Sequence, residues 1–277
     1  MKAKRNRARQ KKAPYYTNKA TLAVYLVLRG LVIFSLVRAA LRGQFESVFF
    51  CILTLVLLVL PSILTRRLQI ELPTTLEIIV LLFIFAAEIL GELNSFYIRV
   101  PNWDTMLHTL NGFLCAAVGF ALVDMLNRSD RFSFKLSPLY LAIVAFCFSM
   151  TVGVLWEFFE YFSDVFLGFD MQKDTVIHAL HTVELDPTRS NKVIALKGIS
   201  DVILVHSDGT QTALGLGGYL DVGLNDTMKD LIVNFIGAVV FSVIGFFYVK
   251  EKGKGRFAAR FIPRVLRTTE KEEIGEG

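Results

Sequence analysis

Apolar residues fall in six long runs along this chain, each fenced by polar or charged positions. The runs cover residues 20–41, 45–65, 73–93, 102–126, 138–162 and 227–249. A helix needs about 20 mostly apolar residues to cross the hydrocarbon core of a bilayer, so the pattern predicts six transmembrane helices. Pro61 predicts a kink in the second. Pro73 and Pro138 open the third and fifth, where a missing N–H costs nothing. The first run follows a basic start, as a signal peptide would. It is longer than the 7–15 apolar residues of a signal, and Arg38 and Arg42 flank the small residues Ala39 and Ala40. It reads as an uncleaved first span.

Residues 163–226 contain no such run. Four stretches there have strand character: Thr182–Leu185, Lys192–Leu196, Asp201–His206 and Thr210–Leu214. Ser207-Asp208-Gly209 reads as a hairpin turn, and Gly215–Gly218 as a mobile closing segment. The expected fold is an all-α polytopic membrane protein with a small β-rich extracytoplasmic loop. Its parts are a basic tail (1–19), helices one to five (20–162), a flap (163–226), helix six (227–249) and a second basic tail (250–277).

Composition agrees with this picture. Of 277 residues, 53% are hydrophobic and 20% charged, against about 45–50% and about 25% in soluble domains. Disordered, coiled-coil, collagen-like and disulfide-scaffold classes are excluded. Cys51, Cys115 and Cys147 all fall in apolar runs without ligand spacing, and read as small buried side chains.

The charge distribution sets the expected orientation. Eight basic residues and no acid lie in Met1–Lys19, and eight more basic residues in Lys250–Lys271. With the N-terminus inside, the cytoplasmic segments hold 21 Lys and Arg and the opposite side 8. Both termini are therefore expected in the cytoplasm of a plasma-membrane protein. The tails would attract anionic lipid; nucleic acid is not an expected partner.

Ionisable residues inside spans are costly and ask for a reason. Helix three carries Glu88 and Glu92, four apart. Helix four opens with Asp104 and His108, also four apart, and Asn111 continues the stripe. Helix five ends with Glu157 and Glu160. Helix six is entered through Asp226 and Asp230, with Asn234 a turn further and Gly237-Ala238 as a close-packing surface. Helices three and five end on the outer side, and helices four and six begin there. At about 1.5 Å per residue, Glu88, His108, Glu157 and Asn234 lie roughly 8–10 Å below the outer boundary, and Asp104, Glu160, Asp230 and Glu92 roughly 2–5 Å below it. Four helices thus place polar groups in one layer, which predicts a shared pocket. Clustered carboxylates beside an imidazole suit general acid–base chemistry or a divalent cation such as Mg²⁺, Mn²⁺ or Zn²⁺. No Ser or Cys nucleophile signature is present. Asp174, His178, His181 and Glu184 in the flap have a spacing that can hold a metal on a helix, and otherwise read as a solvated loop surface. Arg29, mid-span in helix one, is expected to pair with a carboxylate such as Glu88, or to snorkel.

These blocks resemble the YjdF-like family of bacterial inner-membrane proteins. The matching residues are Asp104, His108, Asn111 and Gly112, then Trp156-Glu157-Phe158-Phe159-Glu160-Tyr161, then Asp226-Thr227 and Asp230 with Gly237-Ala238. The resemblance covers roughly residues 73–249 and implies a fold and a site, but no reaction. The chain is more distantly similar to VanZ-like proteins, a group tied to the cell envelope. It departs from the YjdF-like pattern by an insertion at about 172–218 and by Asp221 standing five residues before Asp226. The leading functional expectation is a pocket that binds or modifies a lipid or lipid-linked envelope substrate. A non-catalytic scaffold or sensor is one alternative. An ion-coupled transporter is the other, although such sites favour the midplane and repeated halves.

Overall fold

The computed structural model describes residues 18–68, 70–127, 135–251, 260–262 and 264–265. Most of both basic tails lies outside these residues. The chain divides into two compact units, one formed by residues 1–150 with 234–277, the other by residues 151–233.

In the larger unit, α1 (Lys19–Leu41) is capped by the Asn18 side chain, which accepts from the Ala20 amide at 2.9 Å. It packs on α2 (Phe45–Leu57) and on α4 (Thr74–Phe85). Tyr25, Leu28, Val32, Cys51, Leu81 and Ile84 fill the core between these helices. Leu26, Val27, Leu31 and Phe34 of α1 stay exposed, the arrangement a helix surrounded by lipid requires. The expected second span breaks where Pro61 predicts. α2 ends at Leu57 and α3 (Leu60–Leu68) begins three residues later, because Pro61 brings no N–H for the Leu57 carbonyl and its ring crowds that oxygen.

The third expected span is helical but not uniform. α4 continues into a π-helix, Ala86–Leu93, and a single-turn helix, α5 (Phe96–Arg99), follows. α6 (Trp103–Asn127) packs against the π-helix and α4. A second core joins α6 to the first part of α7 (Pro138–Leu167) and the later part of α8 (Leu224–Lys250) through Ala116, Phe120, Leu141, Ala145, Ala238 and Phe241. A two-residue strand, β1 (Ile70–Glu71), pairs antiparallel with β8 (Arg264–Val265).

Among the described residues, five helices are long and apolar enough to cross a membrane: Lys19–Leu41, Phe45–Ile63, Trp103–Asp124, Pro138–Leu167 and Leu224–Lys250. α4 alone, at 12 residues, is too short.

The smaller unit holds the end of α7, the start of α8 and the flap between them. β2 (Val176–Ile177) pairs with β7 (Tyr219–Leu220) as a stem. Inside it lie two hairpins, β3 (Ala179–Thr182) with β4 (Ile194–Lys197), and β5 (Ile203–Val205) with β6 (Gln211–Ala213). The predicted turn at Ser207-Asp208-Gly209 closes the second. His206 donates to the Thr210 carbonyl at 2.8 Å, and Gly209 takes φ +80°. The strand expected over Thr182–Leu185 stops at Thr182 instead. Asp186 captures the amides of Thr188 (3.0 Å), Ser190 (2.9 Å) and Lys192 (3.1 Å) and curls the chain into a turn.

Candidate functional site

Within the larger unit, the N-terminal half of α6 carries a polar seam. Asp104 Oδ1 lies 3.4 Å from His108 Nε2, one turn along the helix, and the imidazole is 8% exposed. One turn deeper, Asn111 donates from its amide to Asn234 Oδ1 of α8 at 3.1 Å. Cys115 Sγ closes on Asn111 Oδ1 at 3.4 Å. Asn234, 1% exposed, points its own amide nitrogen at Met150 Sδ, 3.6 Å away. Ser149 of α7 donates to the Gly112 carbonyl at 2.7 Å. Spacing of 4, 3 and 4 residues from Asp104 to Cys115 keeps the whole seam on one face.

Two glycines permit this contact. A Cβ on Gly112 would stand 2.0 Å from the Asn234 carbonyl oxygen, and one on Gly237 would stand 2.0 Å from that of Thr109. The backbones of α6 and α8 therefore touch, and small residues at a spanning crossing are what allow that approach. Ala238, fully buried beside Gly237, fits the expected packing surface.

Glu88 lies in the π-helix, 2% exposed, and its Oε2 has no hydrogen-bond partner among the described residues. The Asn94 backbone and side chain both donate to the Ile89 carbonyl, at 3.1 and 2.6 Å, and fix the wide i to i+5 turn. Arg29 is held differently from the carboxylate pairing expected. Its guanidinium donates to the Tyr25 hydroxyl and sits 5.7 Å from that ring's centroid.

In the smaller unit, Glu157 and Glu160 are both buried, at 4% and 8% exposed. Glu160 accepts from Trp156 Nε1 at 2.8 Å, which gives the tryptophan four residues before it a definite role. Asp226 accepts the Lys173 amide at 2.8 Å, and Thr227 Oγ1 accepts from the Gln172 side chain. The Asp-Thr entry to α8 thus holds the segment that leaves α7. Asp230 is 1% exposed.

Two aspartates that do similar work were not singled out as site residues from the sequence. Asp164 takes the Met171 and Gln172 amides at 2.6 and 2.9 Å. Asp221 takes those of Thr175 (2.8 Å), Gly223 (3.3 Å) and Asn225 (2.9 Å). Burial pushes Asp221 up, but those donors outweigh it and hold its carboxyl below the usual range. Asp174 is raised by burial and by its neighbours Asp170, Asp221 and Asp164. The position of Asp221 just ahead of a helix start was the available signal, since a side-chain acceptor there caps free amides. The flap histidines do not form the helical metal pair their spacing would allow. His178 sits in a bend, with Nδ1 3.2 Å from the Ile199 carbonyl, and His181 is in β3.

Residues 21–251 match a family described as "Predicted membrane protein (DUF2238)". No curated protein and no solved structure matches the chain.

Proposed function

We propose, for a chain that belongs to this family of membrane proteins, an envelope-facing role in which an outer-leaflet polar pocket binds or modifies a lipid or lipid-linked substrate. One observation carries the reading. A spanning helix opens on an Asp104–His108 pair, directly above an Asn111–Asn234 pair that joins it to α8. An imidazole next to a carboxylate is suited to moving a proton near neutral pH. An ionisable pair within a span that served packing alone would be a costly choice. In this reading Asp104 and His108 touch the substrate, while Asn111 and Asn234 are positioning residues.

The pocket is proposed to take in Glu88, Glu157, Glu160, Asp226 and Asp230 as well. The support is their spacing along helices that end or begin at one membrane face. The proposal includes six spans, with α4 and the π-helix together as the third, and both termini in the cytoplasm. The excess of Lys and Arg in the expected inner segments supports that orientation. Carboxylates with one imidazole also suit a divalent cation, which would polarise a phosphoryl or carbonyl oxygen of the substrate. The YjdF-like and VanZ-like resemblances point towards the envelope. A site off the midplane favours lipid over ion-coupled flux.

The test is mass spectrometry of the purified protein for retained lipid and metal, for wild type, Asp104→Asn and His108→Gln. Incubation with an envelope lipid extract follows. Wild type should retain or convert a lipid, and both variants should lose that ability while inserting normally. Ion flux in proteoliposomes that both variants abolish would replace this reading with a transporter. Absence of lipid, metal and flux would leave a scaffold.

A further inference from the structure

A second feature uses neither Asp104 nor His108. The C-terminal end of the π-helix and α5 border an open hollow of about 470 Å³, lined by Leu90, Leu93, Asn94, Ser95, Phe96 and Arg99. The local sequence builds it. Ser95 adopts φ +58° and reverses the chain directly after the π-helix. Gly91 lets the Tyr97 ring come so close that a Cβ there would stand 2.3 Å from it. α5 therefore folds back against the π-helix and leaves a hollow beside the contact.

The lining has two characters. Leu90, Leu93 and Phe96 give an apolar wall; Asn94, Ser95 and Arg99 give a polar one. Arg99 is exposed, and among the described residues its guanidinium meets no carboxylate and makes no hydrogen bond. Its planar fork of donors fits phosphate or carboxylate oxygens two at a time, in a way a lysine cannot. The volume falls within the range of small-ligand sites. A cation at the rim of an apolar hollow, at the end of a membrane segment, matches a ligand with a negative head and a hydrocarbon body.

We propose that this cavity is a binding site for an anionic amphiphile, with the phosphate of a phospholipid headgroup on Arg99 and the start of an acyl chain against Leu90, Leu93 and Phe96. The site is independent of the Asp104–His108 reading, because none of its lining residues belongs to that pair. A free phosphate ion shares the headgroup chemistry but would not use the apolar wall.

The chain has two tryptophans. Trp103 packs edge-on against Phe96, with centroids 5.0 Å apart. In a Trp156→Phe background its fluorescence reports on the cavity. The protein, in a non-ionic detergent, is titrated with short-chain phosphatidylglycerol, short-chain phosphatidylcholine and inorganic phosphate. Phosphatidylglycerol should give a saturable change. Arg99→Gln should weaken it at least about tenfold, as loss of a charge-assisted bidentate contact implies, and Arg99→Lys should fall between. Arg42→Gln, an exposed arginine outside the cavity, should change nothing. Weak binding of inorganic phosphate identifies the lipid as the source. Phosphate binding that matches phosphatidylglycerol and still depends on Arg99 keeps the anion site but removes the acyl contact. Phosphatidylcholine equal to phosphatidylglycerol, or Arg99→Gln equal to wild type in a protein that elutes and unfolds normally, would overturn the proposal. Neither result would touch activity lost through Asp104 or His108.

Discussion

Gly30 and Gly112 both lie in spanning helices, yet the same substitution should act on them with opposite sign. A Cβ on Gly30 meets nothing within 4 Å, so Gly30→Ala gains helix propensity and should be neutral or stabilising by up to about 1 kcal/mol. A Cβ on Gly112 meets a backbone carbonyl, which no rotamer change relieves. Gly112→Ala must push α8 away and stretch the Asn111–Asn234 bond. A loss of about 1–3 kcal/mol is expected, read as a lower unfolding midpoint in detergent. Glu157 and Glu160 make a second contrast. Depth along the helix suggested that Glu160 reaches water more freely, but both side chains are buried. Glu160 receives the Trp156 indole N–H. Glu157→Gln should abolish lipid conversion or metal retention while insertion stays normal. Glu160→Gln keeps an oxygen for the indole and should be milder. Silence at Glu157 with loss at Glu160 would reverse the assignment. The residue types and their spacing could be read from the chain. The reason for Gly112 could not, because only the crossing of α6 and α8 shows what a methyl group would strike.

Elements were legible where one local rule dominates. Pro61 breaks its helix, and Asp208-Gly209 closes its hairpin, because both act through their own backbone. The π-helix was not legible. Its extra residue per turn leaves an apolar run as apolar as before, so hydropathy gives no signal; the marks are Asn94 capping Ile89 and Glu88 turned inward. The lost strand at Val183–Leu185 shows the same limit, since an alternating stretch gives way to the pull of Asp186. That turn makes a pH prediction. The Thr188 hydroxyl foremost, and the amides of Lys192, Thr188 and Ser190, hold the Asp186 carboxyl well below the usual range. A depressed carboxylate stabilises the fold above its unfolded value, about 3.9 for Asp, and that contribution is lost as pH falls through the lower folded value. Hydrogen exchange of residues 188–192, corrected for intrinsic rate, should therefore hold steady from pH 7 to about 5 and lose protection only in stronger acid. Asp186→Ala should remove the protection at pH 7. Unchanged exchange in that variant would mean that the strands alone hold the loop.

At the scale of the whole chain, the count of spans and the side on which the flap lies are one question. Among the described residues five helices are long and apolar enough to cross; α4 with the π-helix, 12 and 8 residues, reaches the about 20 that a sixth needs. Suppose the N-terminus is cytoplasmic. If segment 74–93 crosses, α6 runs inward from the outer face, α7 returns, the flap lies outside and the C-terminal tail lies inside. If it does not cross, every later element changes side. The flap would then be cytoplasmic, and the tail with eight basic residues from Lys250 to Lys271 would be exported, against the bias that orients membrane proteins. The charge distribution therefore argues for the sixth crossing more strongly than the helix does by itself. Single cysteines at Ser207 and Lys254, in a chain whose three native cysteines are replaced, separate the cases. A membrane-impermeant maleimide applied to intact cells should label position 207 and spare position 254 until the cells are opened. Labelling at 254 with protection at 207 would establish five crossings from an internal N-terminus, or six from an external one. In either of those cases the Asp104–His108 end of α6 would face the cytoplasm, and the substrate would have to be sought in the inner leaflet.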